Sequence, residues 1–145
     1  MAAMIIVSAC LAGVQCRYDG KGYHMEKIEQ LISLGKALPI CPEQLGGLPT
    51  PRHPAEIRQG RVITKDGTDV TEFFCKGAQQ VLRLAEMVNC TQAILKARSP
   101  CCGYGQIYDG TFSKTLVAGN GILAQMLLQK GIQIYTEESY MKSEK

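Results

Sequence analysis

The sequence predicts an α/β fold, a three-layer Rossmann-like single domain with a mostly parallel sheet flanked by helices. Two observations predict it. Short β-branched runs alternate with longer stretches of helical periodicity, which is the order of right-handed crossover units. Three of those runs also end in cysteine-bearing loops, as expected where the carboxyl ends of parallel strands gather a ligand site. The length of 145 residues suits one domain over 1–145.

The first run, Met4-Ile5-Ile6-Val7-Ser8, reads as a buried strand leading into a glycine-containing loop, with Cys10 just past its end. Met25, Ile28, Leu31 and Ile32 recur at helical spacing, and Gly35 is placed to close that helix. Ala37-Leu38-Pro39-Ile40 is a second strand, which Pro39 assigns to a sheet edge because it cannot donate to a ladder. Cys41 follows at once. From 42 to 54, Pro42, Pro49, Pro51 and Pro54 with Gly46 and Gly47 break both regular periods, so this stretch reads as a structured loop of functional length. Residues 57–65 read as extended with a turn or bulge at Gly60, closed by Asp66-Gly67. Asp69 or Thr71 then caps a long helix whose buried stripe runs through Val70, Phe73, Phe74, Gly77, Val81, Leu82, Ala85 and Val88.

Ala93-Ile94-Leu95-Lys96 is a third strand, and it runs directly into Arg98-Ser99-Pro100-Cys101-Cys102-Gly103. Asp109-Gly110, between Ile107-Tyr108 and Thr111-Phe112-Ser113, signals a hairpin. Gly121 opens a helix through Ile122, Leu123, Met126 and Leu127 to Gly131, and residues 132–135 make a last strand. The charged stretch 137–145 reads as a frayed tail.

Apolar residues at 46% and charged residues at 20% describe an ordinary globular chain. The net charge of +3 comes from basic residues that are scattered, apart from Arg52, Arg58 and Arg61, so no nucleic-acid partner is expected. No apolar run approaches the ~20 residues that cross a bilayer, and the first residues lack the pattern of a signal peptide. The expectation is a cytoplasmic protein without a membrane partner, and nothing in the pattern specifies an oligomeric state.

Seven cysteines are many for such a chain, and an odd number cannot all pair, so a disulfide scaffold gives way to thiol chemistry or metal binding. Cys75 and Cys90, on and after the long helix, are assigned to packing, the ordinary fate of a free cysteine. Cys10, Cys41 and the Cys101-Cys102 pair instead follow strand ends on one rim. Thiolates held close together repel unless a cation neutralises them, so the grouping implies a soft metal or iron-sulfur centre, or transient disulfide exchange. The absence of C-x-x-C argues against a thioredoxin-type pair. A centre held by three protein ligands keeps one coordination position open for substrate. Cys16, six residues after Cys10, is either a fourth thiolate or a buried loop thiol.

Glu43 stands two residues beyond Cys41, where a partly buried carboxyl would suit proton transfer. Ser99 either hydrogen-bonds a substrate heteroatom or caps the turn before the cysteine pair. Arg52 and Arg98 flank these loops and are read as solvated surface residues rather than anion holders. Asp19, Asp66 and Asp109 each precede glycine and read as turn residues, while His24 and His53 receive no role. Neither a dinucleotide fingerprint nor a Walker A pattern occurs.

Three blocks, Ser8-Ala9-Cys10-Leu11-Ala12-Gly13 with Cys16-Arg17-Tyr18-Asp19-Gly20, then residues 41–52 (CPEQLGGLPTPR), then Ser99-Pro100-Cys101-Cys102-Gly103, together resemble the small bacterial family that includes thiouracil desulfidases. The likeness covers nearly the whole chain. It implies an oxygen-sensitive 4Fe-4S cluster held by three cysteines, whose fourth iron takes the sulfur of a thiocarbonyl while water replaces it at carbon. The reaction would be hydrolytic rather than redox, on a small-molecule thiolated substrate such as 2-thiouracil. The matching ligands are Cys10, Cys41 and Cys102, with Glu43 and Ser99 as catalytic helpers. One departure is Cys101, a position the family usually fills with serine, which leaves open which of the pair binds iron. Two other readings stand beside this one: a non-catalytic metal-binding or sulfur-handling protein in which Cys16 closes the coordination, and a metal-free sulfurtransferase carrying persulfide on Cys101 or Cys102.

Overall fold

The computed structural model describes residues 3–143. Its centre is a four-stranded parallel sheet of β1 (Ile5–Ser8), β2 (Ala37–Ile40), β5 (Gln92–Leu95) and β8 (Gln133–Thr136) in the order β2-β1-β5-β8. The helices are α1 (Glu26–Ser33), α2 (Pro42–Leu45), α3 (Thr71–Met87), α4 (Ile122–Gln129) and α5 (Glu137–Ser143). Two antiparallel hairpins complete the chain, β3 (Ala55–Arg58) with β4 (Arg61–Thr64) and β6 (Gln106–Tyr108) with β7 (Leu116–Ala118).

Alternation along the strands builds the layers. Ile6, Ala93, Leu95 and Ile134 point to one side, where they pack with Phe74, Ala78 and Val81 of α3 and Leu123 and Leu127 of α4. Val7, Ile94 and Ala37 point to the other, against Ile28 of α1, with Tyr135 of β8 and Tyr140 of α5 alongside. Both faces of the two central strands are therefore buried, which is why these strands read as unbroken apolar runs. From β1 the chain steps outward to β2 on one side and to β5 and β8 on the other. The crevice between β1 and β5 is thus a topological switch point, where ligands of such sheets bind.

Four local features differ from the sequence expectations. The proline-rich stretch after Cys41 contains the single-turn helix α2, because Pro42 at its first position has the right φ and no amide to lose. The partner of Gln106–Tyr108 is Leu116–Ala118 rather than residues 111–113, so Asp109-Gly110 opens a wider loop; the Asp109 amide donates to the Thr115 carbonyl at 2.9 Å. Phe73 is 44% exposed and lies off the buried stripe of α3. Residues 137–143 are the helix α5 rather than frayed, since Glu137 and Tyr140 find partners on the sheet; 144 and 145 lie outside the described residues. The cap of α3 follows expectation in part. Asp69 Oδ1 accepts from the Thr71 amide at 2.9 Å and from its hydroxyl at 2.6 Å.

A close helix crossing positions the rim. α2 lies so tightly on α3 that a Cβ on Gly77 would sit 1.8 Å from the Pro42 carbonyl oxygen, and one on Gly46 would sit 2.0 Å from that of Phe73. Only glycine fits at either position, and the contact fixes the residues on both sides of Pro42. Among the described residues no helix is long and apolar enough to cross a membrane.

Candidate active site

One cavity of about 910 Å³ opens at the carboxyl ends of the parallel strands, and Cys10, Cys16, Cys41, Glu43, Ser99 and Cys102 all line it. They arrive in pairs on three strand ends. Cys10 sits in the 3-10 turn Ala9–Leu11 directly after β1, Cys41 is the N-cap of α2 directly after β2, and Ser99 and Cys102 lie in the loop after β5. Residues separated by up to 92 positions in the chain are therefore neighbours because parallel strands end together.

The thiols of the first two loops are in contact. Cys41 Sγ donates to the Cys16 carbonyl at 3.7 Å, and the Cys16 thiol lies beside those of Cys10 and Cys41. The hydrogen bond to Cys10, together with burial, pushes the Cys16 thiol up to about 11. Its bond to Cys16 and its burial hold Cys41 well above the usual thiol range. In the absence of a cation these groups keep their protons, as crowded thiols should. Among the described residues no three histidine, cysteine or carboxyl side chains converge on a point where one metal ion would sit. Thiols spread around a large cavity suit a multi-iron cluster, in which each iron takes its own thiolate, better than a single ion.

The adjacent cysteines divide their roles. Both are buried at the edge of one core cluster, but Cys102 lines the cavity, whereas Cys101 is fully buried with Leu123 and Ala124 and does not reach it. Burial first, then the neighbouring Cys102 thiol, hold Cys101 well above the ordinary thiol range. Ser99 is the device that shapes this loop: its Oγ accepts from the amides of Cys101 at 3.1 Å and Cys102 at 3.0 Å, and its carbonyl accepts from Gly103 at 2.8 Å. That is the turn-capping role, and it leaves the hydroxyl proton of Ser99 to donate elsewhere.

Glu43 has a partner that sequence reasoning placed on the solvated surface. Arg52 is only 8% exposed, and both its Nε (3.0 Å) and its Nη2 donate to Glu43 Oε2. Nη2 also donates to the Cys16 carbonyl at 3.0 Å, while Nη1 reaches the Pro49 carbonyl and the Thr50 hydroxyl. A guanidinium fork with its five N–H groups can hold a carboxyl and a cysteine loop at once, which a lysine could not. Glu43 Oε1 has no hydrogen-bond partner among the described residues. Arg98, read from the sequence as a solvated surface residue, is instead half-buried on the cavity wall and paired with Glu138 at 3.1 Å.

Lys96, Arg17 and Tyr23 line the cavity too, although the sequence reading gave none of them a role. Lys96 Nζ pairs with Glu137 Oε2 at 3.0 Å and lies 5.2 Å from the centre of the Tyr23 ring, over which Arg17 also sits at 4.7 Å. Glu137 Oε1 accepts from the Ala97 amide at 2.7 Å, so the first residue of α5 braces the loop that carries Ser99 and Cys102. Cys75 and Cys90 lie away from the cavity, and His53, which reaches its edge, faces Asp66 at 3.7 Å.

Comparisons with known proteins point to one family. A solved structure, that of the [4Fe-4S]-dependent thiouracil desulfidase TudS, superposes with a TM-score of 0.92 at 42% identity, covering 97% of this chain and 95% of that one. The uncharacterized protein YbbK of Bacillus subtilis (strain 168) is 44% identical over 92% of this chain and 95% of its own length. The model of the 2-thiouracil desulfurase family matches residues 5–139. With its match running from β1 into α5, through every strand end that meets the cavity, the chain belongs to the 2-thiouracil desulfurase family.

Proposed function

We propose that the protein is a cytoplasmic desulfidase that removes sulfur from a thiolated nucleobase such as 2-thiouracil by hydrolysis, using a 4Fe-4S cluster held by Cys10, Cys41 and Cys102. The observation that carries this reading is the convergence of those three cysteines with Glu43 and Ser99 on one cavity. Soft thiol donors are the ligands an iron-sulfur cluster takes, and three of them leave one iron free. When bound, the cluster supplies an open iron that draws electron density from the thiocarbonyl as a Lewis acid.

The remaining work belongs to side chains. Glu43, oriented through Oε2 by Arg52, presents Oε1 to take a proton from the attacking water, which then adds to the thiocarbonyl carbon. Ser99, with its lone pairs engaged by two amides, donates its hydroxyl hydrogen to a ring heteroatom and fixes the ring against the cavity wall. As the carbon–sulfur bond breaks, the proton held by Glu43 returns to the departing sulfur or the ring. The sum is thioamide plus water giving amide plus hydrogen sulfide, with no change of oxidation state.

Anaerobic turnover tests this. Reconstituted protein incubated with 2-thiouracil is expected to release uracil and sulfide in equal amounts without an electron donor. Absence of both products, or uracil formed only when a reductant is supplied stoichiometrically, overturns it. The position of Cys16, buried on the cavity wall beside Cys10 and Cys41, supports a second reading in which its thiolate closes the coordination and no substrate reaches iron. Cys16→Ser separates the two: retained cluster with retained turnover favours the open centre, and loss of the cluster favours the closed one.

A further inference from the structure

The mechanism leaves unused a buried carboxyl and a strained loop on the cavity wall contributed by the hairpin, and the two are joined. Glu56 of β3 is 9% exposed, and its Oε1 accepts from the amides of Gly110 at 3.0 Å and Phe112 at 3.1 Å. Arg58, on the same strand, donates from Nε (3.1 Å) and Nη2 (2.6 Å) to the Gly110 carbonyl. Gly110 comes so close to that strand that a Cβ would lie 2.8 Å from the Ile57 carbonyl oxygen, and its φ of +93° excludes most other residues as well. Inside the loop Asp109 accepts from the Thr111 amide and hydroxyl, and the hydroxyls of Thr111, Ser113 and Thr115 form a chain at 2.5 and 2.8 Å.

The conformation held by these bonds is a costly one. Phe112 and Lys114 adopt left-handed φ values of 57° and 62°, which cost side-chain-bearing residues free energy and persist only where the surroundings impose them. Both residues line the same cavity as Cys10, Cys41 and Cys102. Burying a carboxyl to hold an aromatic residue in an unfavourable backbone state has no return in core packing, because Phe112 remains half-buried on the cavity wall. A flat, electron-poor heterocycle, however, is best gripped through its face by an aromatic ring.

We propose that Phe112 is the specificity-determining residue that contacts the ring face of the thiolated heterocycle, and that Glu56 is the positioning residue that holds it there. This rests on the desulfidase reading for the identity of the ligand, while the contact itself is a property of the cavity. Phe112 contributes to substrate affinity and not to bond breaking, so its effect falls on KM rather than kcat. Glu56 acts through the amides of the loop, so its effect follows that of Phe112.

The test uses the anaerobically reconstituted holoprotein, with 2-thiouracil turnover and uracil binding by calorimetry as separate readouts. Phe112→Ala is expected to raise KM and weaken uracil binding by about tenfold, with kcat within about twofold and the cluster absorption unchanged. Phe112→Tyr restores affinity. Glu56→Ala reproduces the loss, and Glu56→Gln, which keeps the Oε1 acceptor, recovers most of it. Uracil affinity and KM unchanged in Phe112→Ala overturn the proposal, as does an equal fall in kcat. If the wild type binds uracil in a Phe112-dependent way without turning over 2-thiouracil, the contact stands and the desulfidase reading falls. Turnover with indifference to Phe112 gives the reverse, and neither turnover nor binding removes both.

Discussion

Cys101 and Cys102 share a loop and a residue type, yet one lines the cavity and the other is shut away in the core. Cys101→Ser is therefore expected to keep full iron and acid-labile sulfide after reconstitution, and Cys102→Ser to lose most of both; iron quantification after anaerobic desalting reads the difference. Residue identity alone could not make that division, because it depends on which way two successive side chains leave a turn capped by Ser99. Arg52 teaches the same lesson. An arginine in a proline-rich stretch reads as solvated, and only the fold shows it 8% exposed against Glu43. Arg52→Ala leaves a partly buried carboxyl without its partner, at a cost of about 3 kcal/mol. With Glu43 no longer oriented, kcat is expected to fall on the order of 10²-fold, the scale of a misplaced general base. Steady-state sulfide release together with a urea titration separates the two effects.

At the scale of elements, periodicity made the main helices and strands legible, since α3 and the β1 and β5 runs each bury a defined face. Elements that rest on tertiary contact were harder to read. Single-turn α2 has no period to show, the β6–β7 pairing skips seven residues, and α5 is held by Glu137 and Tyr140 against the sheet rather than by its own propensity. The crossing of α2 and α3 makes a direct prediction. Gly77→Ala must push α2 outward by the misfit of a methyl group against the Pro42 carbonyl, displacing Cys41 and Glu43 together. It is expected to lower both the thermal midpoint and the iron content, whereas a glycine-to-alanine change at an open helical position would raise stability by up to about 1 kcal/mol. The Asp69 cap adds a pH dependence. Its bonds to Thr71 and Arg61 hold the carboxyl down to about 2 from its usual value near 3.8. A depressed carboxyl stabilises the fold above its unfolded pKa, and that contribution disappears as pH falls from about 4 through 2. Thermal melts across that window should show a steeper loss for the wild type than for Asp69→Asn.

For the whole molecule, the sheet order explains how a site can be assembled from parts so distant in sequence. The rim was legible because three cysteines each followed a strand-like run, and the family resemblance supplied what spacing could not. The partners that hold the rim in place, Arg52, Lys96 and Glu137, were not, because their pairings join segments separated by 9 to 41 positions and leave no local pattern. Removing iron by chelation under anaerobic conditions is expected to leave the sheet intact and abolish turnover, with far-UV circular dichroism unchanged, since the contacts that hold the sheet, Ile6 and Leu95 with Val81 and Leu123 on one side and Val7 and Ile94 with Ile28 on the other, lie away from the cavity.

The brace from Glu137 to Lys96 and Ala97 carries a consequence for biogenesis. The loop bearing Cys102 gains its final support from a helix synthesised some forty residues later, and the strand preceding that helix closes one flank of the sheet. On the iron-sulfur reading, a chain lacking α5 is expected to take up less iron at the Cys102 loop, which that helix braces.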